Sequence, residues 1–191
     1  MIKLICGDCI DVLKDIDTSS IDLVLTDPPF TDYHTDIYKQ TPIDFLKEFP
    51  CRQLVFWSAK VEFPLDYTAI HIWDKRVGVA SEYERIFERN GQKNYKLFSA
   101  YLIHNEVASD YNKGEPFTGH PSQKPRKLIL KMLKWFTKEG DLVFDPFMGT
   151  GVVGECCKYL GRDYIGVEIE KKWYDIAKER IDKVVSVDKW L

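Results

Sequence analysis

Residues 141–168, with the sequence DLVFDPFMGTGVVGECCKYLGRDYIGVE, contain two short apolar strands joined by a glycine turn and an apolar helical stretch. The strands are predicted at residues 141–145 and 163–167, and a further helix is predicted from about residue 171 to residue 184. Short buried strands that alternate with helices are typical of a mostly parallel, doubly wound sheet. This stretch therefore predicts an α/β fold.

The rest of the chain continues the alternation, with one change of pattern in the middle. Further strands are predicted at residues 2–6, 21–26, 53–57, 69–73, 85–89 and 95–103. Helical periodicity is found in residues 9–16, 42–49 and 125–137. Because no helix is predicted between residues 69 and 103, we expect an antiparallel edge on the sheet. No flexible linker interrupts the chain, so we expect residues 1–191 to form a single domain.

Composition excludes several classes of protein. No apolar run approaches the roughly 20 residues that cross a bilayer, and the start of the chain is too polar for a signal peptide, so we expect a cytoplasmic protein without a membrane partner. The net charge of −3 argues against a protein that coats DNA. Residues 124–138 carry lysines and an arginine but no acid, which predicts either a local basic face or a solvated helix face.

The chain has five cysteines, and their spacing is considered as a redox or metal site. Cys6 and Cys9 form a C-x-x-C pair, which is half of a zinc site or a redox pair. The other half is missing, because Cys156 and Cys157 are adjacent and no second C-x-x-C exists. We therefore predict reduced, mostly buried thiols and no metal site.

The segment Phe144-Asp145-Pro146-Phe147-Met148-Gly149-Thr150-Gly151 lies where a predicted strand ends and a helix begins. Ligands of open α/β sheets bind at the carboxyl ends of strands, so this position predicts a cofactor pocket. Glycines at 149 and 151 allow close approach of the backbone to a ligand or a positive φ. Glu168, at the end of the next strand, is suited to accept hydrogen bonds from both hydroxyls of a ribose.

The kind of cofactor follows from Asp145. No Gly-Lys-Thr or Gly-Lys-Ser follows the glycines, which excludes a Walker P-loop. Gly149, Gly151 and Gly154 fit G-x-G-x-x-G, so spacing alone leaves a dinucleotide open. A carboxylate beside the loop would repel a pyrophosphate and suits an ammonium, such as the amino acid end of S-adenosylmethionine.

Asp27-Pro28-Pro29-Phe30 ends another apolar strand and predicts a rigid turn, because two prolines fix φ and restrict their neighbours. The turn presents a carboxylate, a carbonyl and an aromatic ring. An exocyclic base amine is a poor nucleophile, because its lone pair is delocalised. Hydrogen bonds from that amine to Asp27 and the Pro28 carbonyl would free the lone pair for attack, while Phe30 stacks on an extruded base. An ordinary proline turn is the alternative.

In this order the motifs resemble the permuted group of DNA amino-methyltransferases, whose catalytic motif precedes the cofactor motif. Gly7-Asp8 is similar to the family's third motif, which implies cofactor contacts by Asp8 and Cys9. The segment from Gly119 to Pro125, GHPSQKP, is similar to the family's His-Pro-Thr-Gln-Lys-Pro element. The implied cofactor-binding residues are Asp8, Cys9, Asp27, His120, Ser122, Lys124, Phe144, Asp145, Phe147, Gly149, Gly151 and Glu168.

The resemblance implies a circularly permuted, Rossmann-like fold that uses S-adenosylmethionine to methylate DNA. Asp27 at the first catalytic position favours adenine N6, since the cytosine-N4 enzymes of this group often have Ser there. A cytosine-N4 enzyme remains one alternative and an inactive binding module that keeps the cofactor fold is another. The resemblance also implies a prokaryotic or virus-infected cell as the setting, either restriction-modification or a phage methylase.

Two departures from the family pattern carry expectations of their own. Phe30 stands where Tyr is commoner, so stacking is kept and a hydroxyl is lost. The segment available for target recognition, residues 90–119, is short. We therefore expect low sequence specificity or recognition shared across a homodimer. Residues 31–40 follow the catalytic turn and are a second candidate for contacts with DNA.

Overall fold

The computed structural model describes residues 1–29, 42–75, 83–93, 95–99, 120 and 123–185. These residues form one eight-stranded sheet with the order β1-β8-β7-β2-β3-β5-β4-β6. The strands are β1 (Ile2–Cys6), β2 (Leu23–Thr26), β3 (Arg52–Trp57), β4 (Ala69–Asp74), β5 (Tyr83–Arg89), β6 (Leu97–Ser99), β7 (Leu142–Asp145) and β8 (Asp163–Glu168). The predicted mostly parallel sheet is confirmed.

β7, which ends at the predicted cofactor motif, lies beside β2, which ends at the predicted catalytic turn. β7 pairs in parallel with β8 on one side and with β2 on the other. In the second pair Leu23 lies opposite Val143, although the two strands are far apart in the chain. The carboxyl ends of β2 and β7 therefore meet at one edge of the sheet.

The antiparallel pairings expected towards one edge of the sheet are found at β5. β5 is antiparallel to both β3 and β4, whereas β4 and β6 pair in parallel. The reversed strand is β5, which lies between β3 and β4, so the antiparallel pairings fall in the half of the sheet that ends at β6. The reason is that β5 returns directly from β4, which antiparallel pairing allows without a crossover helix, and then fills the space beside β3.

Four helices pack on the sheet in the described part of the chain: α1 (Cys9–Val12), α2 (Arg126–Phe136), α3 (Val152–Tyr159) and α4 (Lys171–Asp182). The helical pattern at residues 9–16 is split, because α1 continues as the 3-10 turn Leu13–Asp15. The pattern at residues 42–49 forms a 3-10 helix, Asp44–Glu48, rather than an α-helix. Of the strand predicted at residues 95–103, Leu97–Ser99 is observed and residues 100–103 lie outside the described residues.

Two hydrophobic cores lie on opposite faces of the sheet. One face packs against α2, α3 and α4, with Leu25, Val143 and Tyr164 among its strand residues. The other face packs against α1 and the 3-10 helix Asp44–Glu48, with Val24 and Phe144 among its strand residues. Because neighbouring residues of a strand point to opposite faces, each buried strand contributes to both cores, which is the expected result for a doubly wound sheet.

The described residues include no helix that is long and apolar enough to cross a membrane. All five cysteines are free thiols. Cys9, Cys156 and Cys157 are buried, whereas Cys6 is exposed. Within the described ranges no group of three or more His, Cys, Asp or Glu side chains is placed to hold a metal ion. The single domain over residues 1–191 stays a prediction, as does the recognition role of residues 90–119, of which 90–93 and 95–99 are described.

Candidate functional site

The glycine loop after β7 adopts the conformation that its glycines allow. Gly149 has φ 53° and Gly151 has φ 77°, which is the left-handed region that disfavours other residues. The amide of Gly149 donates a hydrogen bond of 2.9 Å to Oε2 of Glu168. The loop is thereby attached to the end of β8, as expected for a strand-end pocket.

Gly151 has a structural reason to be glycine that the sequence did not indicate. A Cβ at this position would lie 2.7 Å from the Cβ of Ala177 on α4, closer than real contacts allow. Gly154 on α3 is equally constrained, since its Cβ would lie 2.6 Å from both Ile181 and Tyr164. Close packing of α3 against α4 and the sheet explains both glycines. Binding of a cofactor by Gly151 stays a prediction.

A small pocket opens at the carboxyl ends of β1, β7 and β8. Its lining residues are Gly7, Cys9, Pro146, Phe147, Val167, Glu168 and Ile169. Glu168 lies in this pocket, and both of its carboxylate oxygens accept hydrogen bonds. Oε2 accepts from the amide of Gly149, and Oε1 accepts from the amide of Glu170 at 2.8 Å. Burial raises the pKa of this carboxyl above its usual value. Each oxygen keeps a second lone pair, so the carboxylate can still accept from a diol.

The third motif borders the same pocket. Asp8 caps α1 by accepting a hydrogen bond of 2.8 Å from the amide of Ile10. The Cys9 thiol next to it is 5% exposed, and burial raises its pKa to about 12, so it stays protonated at neutral pH. A buried thiol of this kind is a packing surface for a ligand rather than a nucleophile.

The two phenylalanines of the cofactor motif lie in different places. Phe147 lines the pocket. Phe144 is fully buried on the sheet, where its ring stacks on Phe49 at 5.3 Å between centroids. The structure therefore does not bring the Phe144 ring to the pocket, and a cofactor contact by Phe144 stays a prediction.

Asp145 lies at the end of β7 and is 2% exposed. Its Oδ1 accepts from the hydroxyl of Thr26 at 3.0 Å and from the amide of Phe147 at 3.3 Å. Its Oδ2 accepts from the hydroxyl of Tyr164 at 3.4 Å. Burial raises the pKa of Asp145 to about 7, against the opposing effect of these hydrogen bonds. An acid with such a pKa responds strongly to a cation placed beside it.

The turn predicted to be catalytic begins with Asp27, directly after β2. Asp27 is partly buried and Pro28 is buried, while Phe30 lies outside the described residues. Oδ2 of Asp27 accepts a hydrogen bond of 2.5 Å from the Lys124 ammonium. Oδ1 is buried and has no hydrogen-bond partner among the described residues. Burial raises the pKa of Asp27 to about 6, while Lys124 acts in the opposite direction.

The element around His120 is brought to both motifs. The His120 imidazole lies 3.7 Å from the position of a Cβ on Gly149 and packs edge-on against Trp173. Ser122 lies outside the described residues. Lys124, expected at the cofactor, has its ammonium between Asp27 and Oε2 of Glu84, the latter at 3.3 Å.

Lys124 also explains why residues 124–138 do not form one continuous basic face. Its side chain is only 7% exposed, and Arg126 lies 3.4 Å from Glu155. Lys134 and Lys138 are exposed, so the charge that is accessible to solvent is smaller than the sequence alone indicated.

Several residues of the site were not predicted. Gln123 accepts hydrogen bonds of 3.0 Å from Thr150 and from Arg180, which ties the His120 element to the glycine loop. Glu84 on β5 was also missed. A signal for it existed, because Glu84 shares a strand face with Ile86, and an acid at an inward position indicates a buried cation.

The chain is similar in sequence to DNA methyltransferases. A family model named N6_N4_Mtase and described as DNA methylase matches residues 52–179, which is more than half of the chain. The type II methyltransferase M.HpaI of Haemophilus parainfluenzae is 27% identical over 94% of this chain and 74% of its own length. Two other type II methyltransferases are 43% and 44% identical over 37% of this chain, and the alignments span 27% and 26% of their lengths.

Solved structures have the same fold. The M1.HpyAVI–SAM complex superposes with a TM-score of 0.66 at 22% identity, covering 95% of this chain and 100% of that one. PvuII DNA methyltransferase, described as cytosine-N4-specific, gives a TM-score of 0.65 at 17% identity, covering 98% of this chain and 89% of that one. The chain thus has the α/β fold of these methyltransferases.

Proposed function

The chain belongs to the DNA methylase family represented by N6_N4_Mtase, and on that premise we propose that it transfers a methyl group from S-adenosylmethionine to the N6 amine of adenine in DNA. Aspartate at position 27 supports adenine by analogy with the family. The target base leaves the duplex to reach the Asp27 turn, since its amine is inaccessible within the stack.

The observation that carries the proposal is the free oxygen of Asp27. A buried acceptor without a partner costs roughly 1–3 kcal/mol, and Oδ1 is such an atom among the described residues. An N–H of the target amine satisfies it. With a second hydrogen bond to the Pro28 carbonyl, the amine nitrogen becomes tetrahedral and its lone pair is released for attack.

The pocket residues suit the methyl donor. Glu168 offers acceptors for the two ribose hydroxyls, and Phe147 and Cys9 offer apolar surface for an adenine ring. Asp145, with its raised pKa, is suited to an ammonium group. When bound, S-adenosylmethionine supplies an electrophilic methyl group on its sulfonium. Glu168, Asp145 and Asp27 would hold the donor from the ends of three neighbouring strands, β8, β7 and β2, which lie about 4.8 Å apart from one strand to the next.

The experiment compares binding and transfer in the same protein. Wild-type protein is incubated with methyl-labelled S-adenosylmethionine and mixed-sequence DNA, and label on the DNA is counted. We expect transfer by the wild type and none by Asp27→Ala, although the variant should still bind S-adenosylmethionine. Label on DNA from Asp27→Ala at the wild-type rate would show that the catalytic assignment is wrong.

A further inference from the structure

Four charged side chains of alternating sign form a row that ends at the catalytic turn. We call Asp27, Lys124, Glu84 and Lys75 the charge row. The Lys124 ammonium lies 2.5 Å from Oδ2 of Asp27 and 3.3 Å from Oε2 of Glu84. The Lys75 ammonium lies 2.5 Å from Oε1 of Glu84. Each of the two inner groups thus has an opposite charge on both sides.

The row is built into the interior of the fold. The side chains of Lys124, Glu84 and Lys75 are 7%, 15% and 19% exposed. The Lys124 ammonium also lies 5.1 Å from the centre of the Phe56 ring. Burying a charge is costly unless it is paired, so three ion pairs at this depth indicate a function beyond surface solvation.

Strand alternation explains how the row reaches the turn. Leu25 on β2, Phe56 on β3 and Ile86 on β5 belong to the core on one face of the sheet. Asp27 is two residues after Leu25, and Glu84 is two residues before Ile86. Strand alternation therefore places both acids on the same face of the sheet as these core residues, nearer to the carboxyl edge. Lys124 lies across Phe56 and joins them. The contact of Lys124 with Glu84 therefore depends on β5 lying beside β3.

The contact between Lys124 and Asp27 affects whether the Asp27 carboxyl is ionised or protonated. Burial raises the pKa of Asp27 to about 6, whereas the neighbouring Lys124 lowers it and Glu84 raises it. The charged groups that face Asp27 are Lys124, Glu84, Lys75 and, from β7, Asp145. Lys124 is the cation in direct contact, so its removal leaves a buried carboxyl that stays protonated to higher pH.

We propose that Lys124, held in place by Glu84 and Lys75, is a positioning residue that keeps Asp27 ionised and occupies Oδ2, so that Oδ1 is the oxygen offered to the target amine. This role rests on the proposed function and differs from the cofactor contact that the family resemblance implied for Lys124. A protonated Asp27 would be a neutral and weaker acceptor, so its hydrogen bond from the amine would be weaker than that of the carboxylate.

The test measures the titration of Asp27 directly. Carbon-13 NMR of aspartate carboxyls, with the Asp27 signal assigned by Asp27→Asn, follows its midpoint in wild type, Lys124→Met and Lys124→Arg. We expect Lys124→Met to raise the midpoint by about one unit or more, as loss of an adjacent opposite charge does, and Lys124→Arg to restore it. Lys124→Gln, which keeps a hydrogen-bond donor without the charge, replaces Lys124→Met if the latter does not fold.

Lys131→Met is the matched control, because Lys131 is also on this basic stretch but lies 4.8 Å from the Trp135 ring rather than at Asp27. We expect it to leave the Asp27 midpoint unchanged. Single-turnover methyl transfer measured against pH should shift with the NMR midpoint in Lys124→Met, with unchanged affinity for S-adenosylmethionine.

Two results separate the possible failures. The first result is an unchanged Asp27 midpoint in Lys124→Met and Lys124→Gln, together with weaker binding of S-adenosylmethionine. It would overturn the proposal and indicate that Lys124 contacts the cofactor. The second result is a raised Asp27 midpoint in the Lys124 variants together with no methyl transfer by the wild type. It would support the role of the charge row and overturn the proposed function.

Discussion

The hydroxyl of Thr26 donates a hydrogen bond of 3.0 Å to Oδ1 of Asp145, across 119 residues of sequence. Thr26 is the last residue of β2 and Asp145 is the last residue of β7. The bond therefore joins the strand that leads into the catalytic turn to the strand that leads into the glycine loop. Both side chains are at most 2% exposed, so water does not compete for the bond.

Replacing Thr26 by Val tests this bond. The variant keeps the shape of the side chain but leaves a buried oxygen of Asp145 with one donor fewer, which costs about 1–3 kcal/mol. We expect a lower free energy of unfolding in urea. Thr18→Val, at a partly exposed position with no side-chain hydrogen bond described, is the control and should change stability little. Equal stability of the Thr26→Val and wild-type proteins would show that the bond contributes nothing.

Gly151→Ala should destabilise the protein more than Gly140→Ala. Both glycines have positive φ, 77° and 81°, so both variants incur the backbone cost of about 1–2 kcal/mol. Only at Gly151 does the new Cβ meet Ala177, whereas nothing lies within 4 Å of a Cβ at Gly140. Overpacking adds roughly 1–3 kcal/mol. Urea unfolding of the two variants measures the difference, and equal losses would argue against tight packing of the loop on α4.

Glu168→Gln should weaken binding of S-adenosylmethionine without abolishing methyl transfer at saturating donor. The side-chain amide of Gln keeps one acceptor oxygen, but its NH2 group must face the backbone N–H of either Gly149 or Glu170. Two hydrogen-bond donors then point at each other. We expect an increase of about tenfold in Kd by calorimetry, equivalent to 1.4 kcal/mol. Glu170→Gln is the control, because Glu170 is exposed. A Kd that matches the wild type would remove Glu168 from the ribose site.

Binding of S-adenosylmethionine should release protons through Asp145. In the free protein burial raises the pKa of this carboxyl to about 7, so it is largely protonated at pH 6.5. An ammonium group beside it favours the ionised form and lowers the pKa, so a fraction of a proton leaves on binding. Calorimetry at pH 6.5 in buffers of different ionisation enthalpy measures that release.

The Asp145→Asn variant provides the control for this linkage, since an amide has no proton to lose in this range. Its apparent binding enthalpy should depend less on the buffer than that of the wild type. A buffer-independent enthalpy for the wild type would place the ammonium group elsewhere.

The sequence was most informative where a local pattern determines structure. Apolar runs that end in Asp-Pro predicted that β2 and β7 are strands, and the structure pairs them. The position of Glu168 at the end of a strand predicted its place in the pocket. The contact of Lys124 with Glu84 could not be predicted in this way. It depends on β5 being inserted beside β3, which non-local pairing decides and no local periodicity records.

The packing of Phe144 and Gly151 is a second feature that could not be predicted from the sequence. The motif suggested ligand contacts for both, because strand-end residues commonly make them. The structure gives each a packing role, Phe144 against Phe49 and Gly151 against Ala177. A motif residue can therefore be required by the fold that presents the site.

The central claim, that Asp27 directs a methyl group to the N6 amine of adenine in DNA, is tested most directly by the identity of the product. DNA incubated with the protein and S-adenosylmethionine is digested to nucleosides and analysed by mass spectrometry, with Asp27→Ala in parallel. We expect N6-methyladenine from the wild type and no methylated base from the variant. N4-methylcytosine from the wild type would contradict the choice of base, and unmodified DNA despite measurable binding of S-adenosylmethionine would contradict the activity itself.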